Sequence, residues 1–267
     1  MAENELSDAE REAFLASTIQ PMAEFTLPFI VGITGVESPQ KGIHLGSGFR
    51  CILDGQRCVV SAQHVIAEAK QAYDHFTIST GYGFKPFVFY GEVLMNPGLD
   101  VAICFLPDDY PVDQDRRKID FWPQDRFDLD GSRRATDYLF LHGYPGERSR
   151  FDEVARGVSS RSLPYGAVEQ LTGLPPTAKA HNFALNYDLA NIQTPQGPLA
   201  ELVDPHGLSG CGIWRIGIDG GSASSWRPQD CLLVGVQIEY HENEKLLLAT
   251  NISEVIDLLN RNKTLGS

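Results

Sequence analysis

The sequence predicts an all-β protein, a sandwich or a barrel, with short helices at its two ends. Three observations carry this. From Phe25 onward the chain breaks into short runs of β-branched and aromatic residues bounded by turn residues. Asp54-Gly55, between two such runs, is a hairpin turn. Helical spacing of apolar residues is confined to 6–18 and 252–262, with a possible helical turn at 65–71.

In residues 6–18, Ser7 as N-cap and Glu10 three positions on make a capping box, and Ala9, Ala13, Phe14 and Ile19 supply a modest apolar side. Residues 1–24 are therefore expected to form an N-terminal extension packed on the outside of the domain. Strands follow at 29–33, 46–52 and 57–62, then at 76–79, 87–90 and 101–106. Residues 107–135 are rich in Asp, Arg and Pro and have no sustained period. The first β module is accordingly assigned to 25–120 and a linker to 121–135. The second module, 136–250, opens with a strand at 138–141 and a turn signal at Gly143-Tyr144-Pro145-Gly146. Weak strands and a flexible stretch around Gly173-Leu174-Pro175-Pro176 fill 146–180. Strands return at 183–187 and 212–216, a Gly, Ser and Pro-rich loop occupies 219–229, and the most apolar strand, 232–240, pairs with 245–249. The segment 251–267 ends the chain as a helix with Asn251 as N-cap, Glu254 three residues later, and Ile252, Val255, Ile256, Leu258 and Leu259 on its buried side.

A net charge of −13 argues against nucleic acid and anionic membrane as main partners, because both reward a basic face. The basic runs Arg116-Arg117-Lys118 and Arg133-Arg134 sit among aspartates and read as solvated loop faces. No apolar run is long enough for a transmembrane helix, and the acidic N-terminus lacks the features of a secretory signal, so a cytoplasmic protein is expected. The five cysteines are odd in number and contain no Cys-x-x-Cys, which is neither a disulfide framework nor a zinc pattern. Counting outward from Asp54-Gly55 sets Cys51 opposite Cys58. A disulfide there is possible in an oxidising buffer, and free thiols are expected in the cell.

Candidate chemistry centres on Asp204-Pro205-His206-Gly207-Leu208-Ser209-Gly210-Cys211-Gly212-Ile213-Trp214. Gly207 and Gly210 allow a sharp turn and a close approach to a ligand. Such a turn can expose the Ser209 hydroxyl and aim the backbone N–H groups of Gly207 and Ser209 at one point. Taken alone, the stretch reads as a Gly-rich loop before a buried strand. Upstream, His64 closes one strand and Asp100 opens another. Singly, these read as a hydrogen-bonded histidine and a turn aspartate. As a set they supply what acyl transfer needs: a hydroxyl nucleophile, a neutral imidazole to take its proton, and a carboxylate to fix the imidazole tautomer.

Several segments carry a family likeness: Ser61-Ala62-Gln63-His64-Val65, Leu99-Asp100-Val101-Ala102-Ile103, Gly207-Leu208-Ser209-Gly210, Gly46-Ser47-Gly48-Phe49 and Gly143-Tyr144-Pro145. Through them the chain resembles the trypsin-like (chymotrypsin-fold) serine proteases, in the manner of bacterial intracellular and HtrA-like members, over about residues 26–252. The resemblance implies two six-stranded antiparallel β-barrels with the active site in the cleft between them. It implies Ser209 as nucleophile, His64 as general base and acid, Asp100 as orienting carboxylate, and the N–H groups of Gly207 and Ser209 as oxyanion hole. It implies a protein or peptide substrate and neither cofactor nor metal. The substrate pocket would be lined by Val203, Asp204 and His206 and by strand 234–239, including Gln237 and Glu239. Asp204 or Glu239 would favour a basic side chain.

Three departures stand out. Leu208 replaces the aspartate that many secreted members carry before the serine, which removes activation through an ion pair with a newly cut N-terminus. Cys211 replaces a common glycine, and Val65 replaces a cysteine of secreted members. Two other readings stay open: a latent protease that needs an activating partner or signal, and a catalytically silent protease-like module that binds peptides.

Overall fold

The computed structural model describes residues 8–38, 41–73, 75–79, 86–111, 113–114, 117–131, 138–153, 157–189, 194–195, 201–216 and 226–265. The expected Ser7 cap, Arg116, the Arg133-Arg134 pair and the 219–225 part of the Gly, Ser and Pro-rich loop lie outside them.

The N-terminal helix, α1 (Asp8–Thr26), continues well past the stretch expected from its spacing and runs through Pro21. Burial explains its length. Ile19 and Met22 are fully buried, and Phe14 and Leu15 nearly so, which makes the helix part of the core rather than an external attachment. It lies so close to the second module that a Cβ on Gly166 would stand 2.4 Å from Ile19 Cδ1.

The first module holds β1 (Ile30–Ser38), β2 (Lys41–Leu53), β3 (Gln56–Ala62), α2 (Gln63–Ala72), β4 (Phe76–Ser79), β5 (Phe87–Val88), β6 (Val93–Asn96) and β7 (Val101–Phe105). The strands form one antiparallel sheet in the order β5-β4-β1-β2-β3-β7-β6. β6, which the sequence pattern did not mark, pairs along β7 from Val93↔Cys104 to Asn96↔Val101. The β2–β3 hairpin turns at Asp54 and Gly55, both at positive φ (49° and 78°), the backbone that an Asp-Gly hairpin turn takes. Its register sets Cys51 opposite Cys58 as expected. Both are buried free thiols, and burial pushes Cys58 up to about 12.

A small ribbon, β8 (Asp113–Gln114) and β9 (Arg117–Lys118), precedes the second module. That module contains β10 (Tyr138–Gly143), β11 (Ser149–Asp152), β12 (Gly157–Ser160), β13 (Leu163–Gln170), β14 (Asn182–Asn186), β15 (Gly212–Ile216), β16 (Leu232–His241), β17 (Leu246–Asn251) and the terminal helix α3 (Ile252–Leu265). Six of its strands close a barrel in the order β10-β13-β14-β17-β16-β15, while β11 and β12 form a separate hairpin. The architecture is the two-barrel, chymotrypsin-like one. The second barrel is closed, and the first is a half-barrel sheet of seven strands. No described helix is long and apolar enough to cross a membrane.

The two modules share a core. Trp122 and Trp214 are fully buried and meet edge to face at 5.9 Å, with Phe29 5.1 Å from Trp122 and Phe49 6.5 Å from Trp214. The segment expected as a linker is stitched to both sides. Trp122 exchanges backbone hydrogen bonds with β2 (Ile52 N–H to Trp122 O, 2.9 Å; Trp122 N–H to Arg50 O, 3.0 Å), and Asp128 N–H donates to Leu233 O of β16 (2.8 Å). Burying aromatic surface at this seam holds the modules in one relative position, and so fixes the end of β3 against the loop before β15.

Candidate active site

His64 is the second residue of α2, directly after β3. Pairing of β3 with β7 sets Ala62 beside Val101, which brings Asp100 next to the start of the helix. Asp100 then holds His64 at two points. Its Oδ1 accepts the His64 backbone N–H at 2.9 Å, and its Oδ2 accepts Nδ1–H of the ring at 2.7 Å. Its backbone carbonyl also accepts the Gln63 N–H at 3.1 Å. The carboxylate thus acts as the acceptor at the α2 N-terminus, where Ala62 has no side chain to do so. Asp100 sits at φ 52°, a left-handed conformation that costs a non-glycine residue roughly 1–3 kcal/mol. The three hydrogen bonds offset that cost. The His64 side chain is 47% exposed, so the ring edge opposite Asp100 is open to a ligand. Its pKa is raised, chiefly by the hydrogen bond it donates to Asp100. Burial opposes this, and the charges of Asp100, Glu68 and Glu239 add to it.

The Ser209 loop is clamped from three directions. Gly207 (φ 91°) and Gly210 (φ 93°) both take the conformation that favours glycine. A Cβ on Gly210 would lie 2.2 Å from Ser47 O and 2.3 Å from Ser61 Oγ, so the loop rests directly on β2 and β3, three residues before His64. Ser47 N–H donates to Ser209 O (2.8 Å), and Gly210 N–H donates to Gln237 O on β16 (2.7 Å). Leu208 is fully buried in the second barrel's core among Leu139, Leu141 and Cys211. An apolar anchor therefore holds the residue before the serine.

The Ser209 hydroxyl donates a long hydrogen bond to Ile238 O (3.5 Å), not to His64. Among the described residues, neither the Gly207 nor the Ser209 N–H has an acceptor. The carbonyl preceding each is held elsewhere: His206 O accepts Gly146 N–H (2.6 Å), and Leu208 O accepts Cys211 N–H (2.9 Å). In a trans peptide the N–H points away from its carbonyl, so both donors are directed off those contacts and stay available.

Two residues that the sequence did not mark position this loop. The fully buried Ser47 Oγ accepts Tyr144 N–H (2.8 Å) and donates to Gly207 O (2.8 Å). His44 Nε2 lies 2.6 Å from Tyr144 O and 3.2 Å from Gly207 O, and since both are acceptors, Nε2 carries the proton. Ser47 lies inside a segment singled out for its glycines. His44 has no local signal, because its partners are about 100 and 163 positions away. Burial lowers the pKa of His44, which its two backbone acceptors partly offset, and burial alone takes His142 down to about 3.

These depressed values have a stability consequence. The folded state keeps His142 neutral while the unfolded chain protonates near pH 6.5, so its contribution is complete above that pH and is lost as pH falls toward about 3. Between pH 6.5 and 5.5 the wild type should lose about 1 kcal/mol of stability relative to a His142→Gln variant, and about 1.4 kcal/mol for each further pH unit until about pH 3. Urea denaturation at pH 6.5 and 5.5 checks this. Parallel losses in the two proteins would mean that His142 is not held neutral.

The remaining pocket candidates are spread out. The Val203 side chain is buried in the second barrel's core, and its carbonyl accepts the Tyr187 hydroxyl (2.7 Å). Asp204 and His206 are exposed beside the Ser209 loop, and Asp204 Oδ1 accepts the His206 N–H (3.0 Å). Gln237 is buried on β16, whereas Glu239 is half exposed and pairs with His241 (3.2 Å). Among the described residues, no group of three or more His, Cys, Asp or Glu side chains is arranged to hold a metal ion.

No family model and no curated protein matches the chain. Among solved structures, it is similar to the Rv3671c protease of M. tuberculosis. The active form gives a TM-score of 0.50 at 19% identity, covering 91% of this chain and 85% of that one. The inactive form gives 0.51 at 17%, covering 92% and 94%. At such identities the likeness shows the fold.

Proposed function

We propose that the protein is a serine endopeptidase that cleaves protein or peptide substrates through an acyl-enzyme. The observation that carries the reading is the two-point hold of Asp100 on His64, on a strand end against which the Ser209 loop is seated. In this mechanism the Ser209 hydroxyl attacks the substrate carbonyl while His64 Nε2 takes its proton. Asp100 keeps the proton on Nδ1 and stabilises the imidazolium. The free N–H groups of Gly207 and Ser209 receive the oxyanion, each worth about 10²–10³-fold in rate. His64 then gives its proton to the leaving amine, and a water activated by the same ring hydrolyses the ester. The exposed carboxylates of Asp204 and Glu239 support a preference for a basic side chain before the cut. Similarity to a fold that the Rv3671c protease also uses supports the class of reaction.

One observation favours a latent form of this enzyme: the Ser209 hydroxyl is turned to Ile238 O, so a side-chain rotation must precede attack. Labelling with a fluorophosphonate probe separates the cases. Labelling of the resting wild type, abolished in His64→Ala, supports a competent enzyme. Labelling that arises only with an added activating partner supports latency. Labelling undiminished in His64→Ala refutes the triad.

A further inference from the structure

A cavity of about 890 Å³ lies between α1 and the β11–β12 hairpin, in the second module and apart from His64 and Asp100. Its size suits a small organic ligand. We propose that it binds a small phosphate ester bearing free hydroxyl groups, the chemistry of a sugar phosphate.

The hairpin supplies the anion-binding wall. In its register Arg150 faces Ser159, and Arg161 N–H donates to Arg148 O just beyond the strand ends (3.0 Å). Side chains alternate along a strand, so Arg148, Arg150, Ser159 and Arg161 share one face. The opposite face carries Phe151 and Val158, which pack at Gly42 of β2. All four members of the first face line the cavity. Among the described residues none of the three arginines has an ion-pair partner, in a chain whose net charge is −13. Guanidinium groups match the geometry of phosphate oxygens.

Other parts of the lining supply acceptors. His142 lines the cavity, is 1% exposed, and its Nε2 has no partner. The tautomer follows from its neighbour. The single hydroxyl proton of Thr26 goes to Met22 O (2.7 Å), so Thr26 Oγ1 must accept Nδ1–H of His142 (2.7 Å). Nε2 is therefore a bare lone pair that needs a donor. Leaving such a group unmatched costs about 1–3 kcal/mol, which a ligand hydroxyl recovers. The carboxylates of Glu24 and Glu147, also on the lining, accept hydroxyls and disfavour a polyanion. Cations along the hairpin, with acceptors at Glu24 of α1, at His142 of β10 and at Glu147 beside Arg148, select one phosphate joined to a hydroxylated body.

The test is isothermal titration with glucose 6-phosphate, ribose 5-phosphate and glycerol 3-phosphate, beside inorganic phosphate and unphosphorylated glucose. At least one ester should bind at one site per chain, about tenfold or more tighter than phosphate or glucose. An Arg148→Ala, Arg161→Ala double variant, whose fold is checked by its melting curve, should weaken that binding at least tenfold while leaving the Ser209 site untouched. The proposal is overturned if no ester binds below about 10 mM, if phosphate alone binds as tightly as the best ester, or if the double variant binds unchanged.

Discussion

Replacing Ser209 with alanine should lower kcat for peptide cleavage by about 10⁴–10⁶-fold while leaving the fold intact. The chemical loss is large because alanine has no oxygen to form the acyl bond, and the remaining groups can only polarise the substrate and position water. The structural loss is small because the hydroxyl's one hydrogen bond is the long one to Ile238 O, and the clamps on the loop run through backbone atoms and through Leu208. Cleavage of a peptide library, read beside circular dichroism and a melting curve, separates the two effects. Undiminished cleavage by a folded Ser209→Ala protein would remove the assignment.

The second large effect is expected from Asp100→Asn: a loss of about 10⁴-fold in kcat near neutral pH, together with a shifted pH profile. An amide cannot stabilise the imidazolium, and its NH2 group favours the imidazole tautomer with the proton on the wrong nitrogen. Asparagine tolerates the left-handed conformation of residue 100, so the backbone should persist. The pH profile gives the sign. In the wild type the Asp100 hydrogen bond raises the His64 pKa, so the unprotonated base, and with it kcat/KM, should rise through a midpoint above the ordinary 6.5. Removing the largest cause of that shift should move the midpoint of the residual activity to lower pH. A variant that keeps full activity, or whose midpoint stays in place, would show that Asp100 does not act on His64.

Where the sequence was legible, the signal was local. The Asp54-Gly55 turn fixed its own register, including Cys51 opposite Cys58, because a two-residue hairpin leaves one way to count. The glycines flanking Ser209 announced a loop of unusual backbone, and Gly207 and Gly210 adopt it. The N-terminal helix runs past residue 18, where its local signal ends because Met22 and its neighbours carry a weak period. Only the closely approached surface at Gly166 accounts for its full length. β6 was missed because a four-residue run means little without β7 beside it.

By itself the sequence determined the all-β class, the turn positions and the three residue types suited to acyl transfer, in the order His64, Asp100, Ser209. These follow from side-chain period, turn chemistry and functional-group identity, which are properties of neighbours along the chain. Only the tertiary structure decided that Trp122 belongs to the shared core, that Leu208 anchors the loop, that His44 and Ser47 hold Gly207 O, that the Ser209 hydroxyl rests on Ile238, and that Arg148, Arg150, Arg161 and His142 face one cavity. Each of these is a meeting of groups far apart in sequence. Such meetings are selected by the joint burial of two modules, which no local pattern encodes.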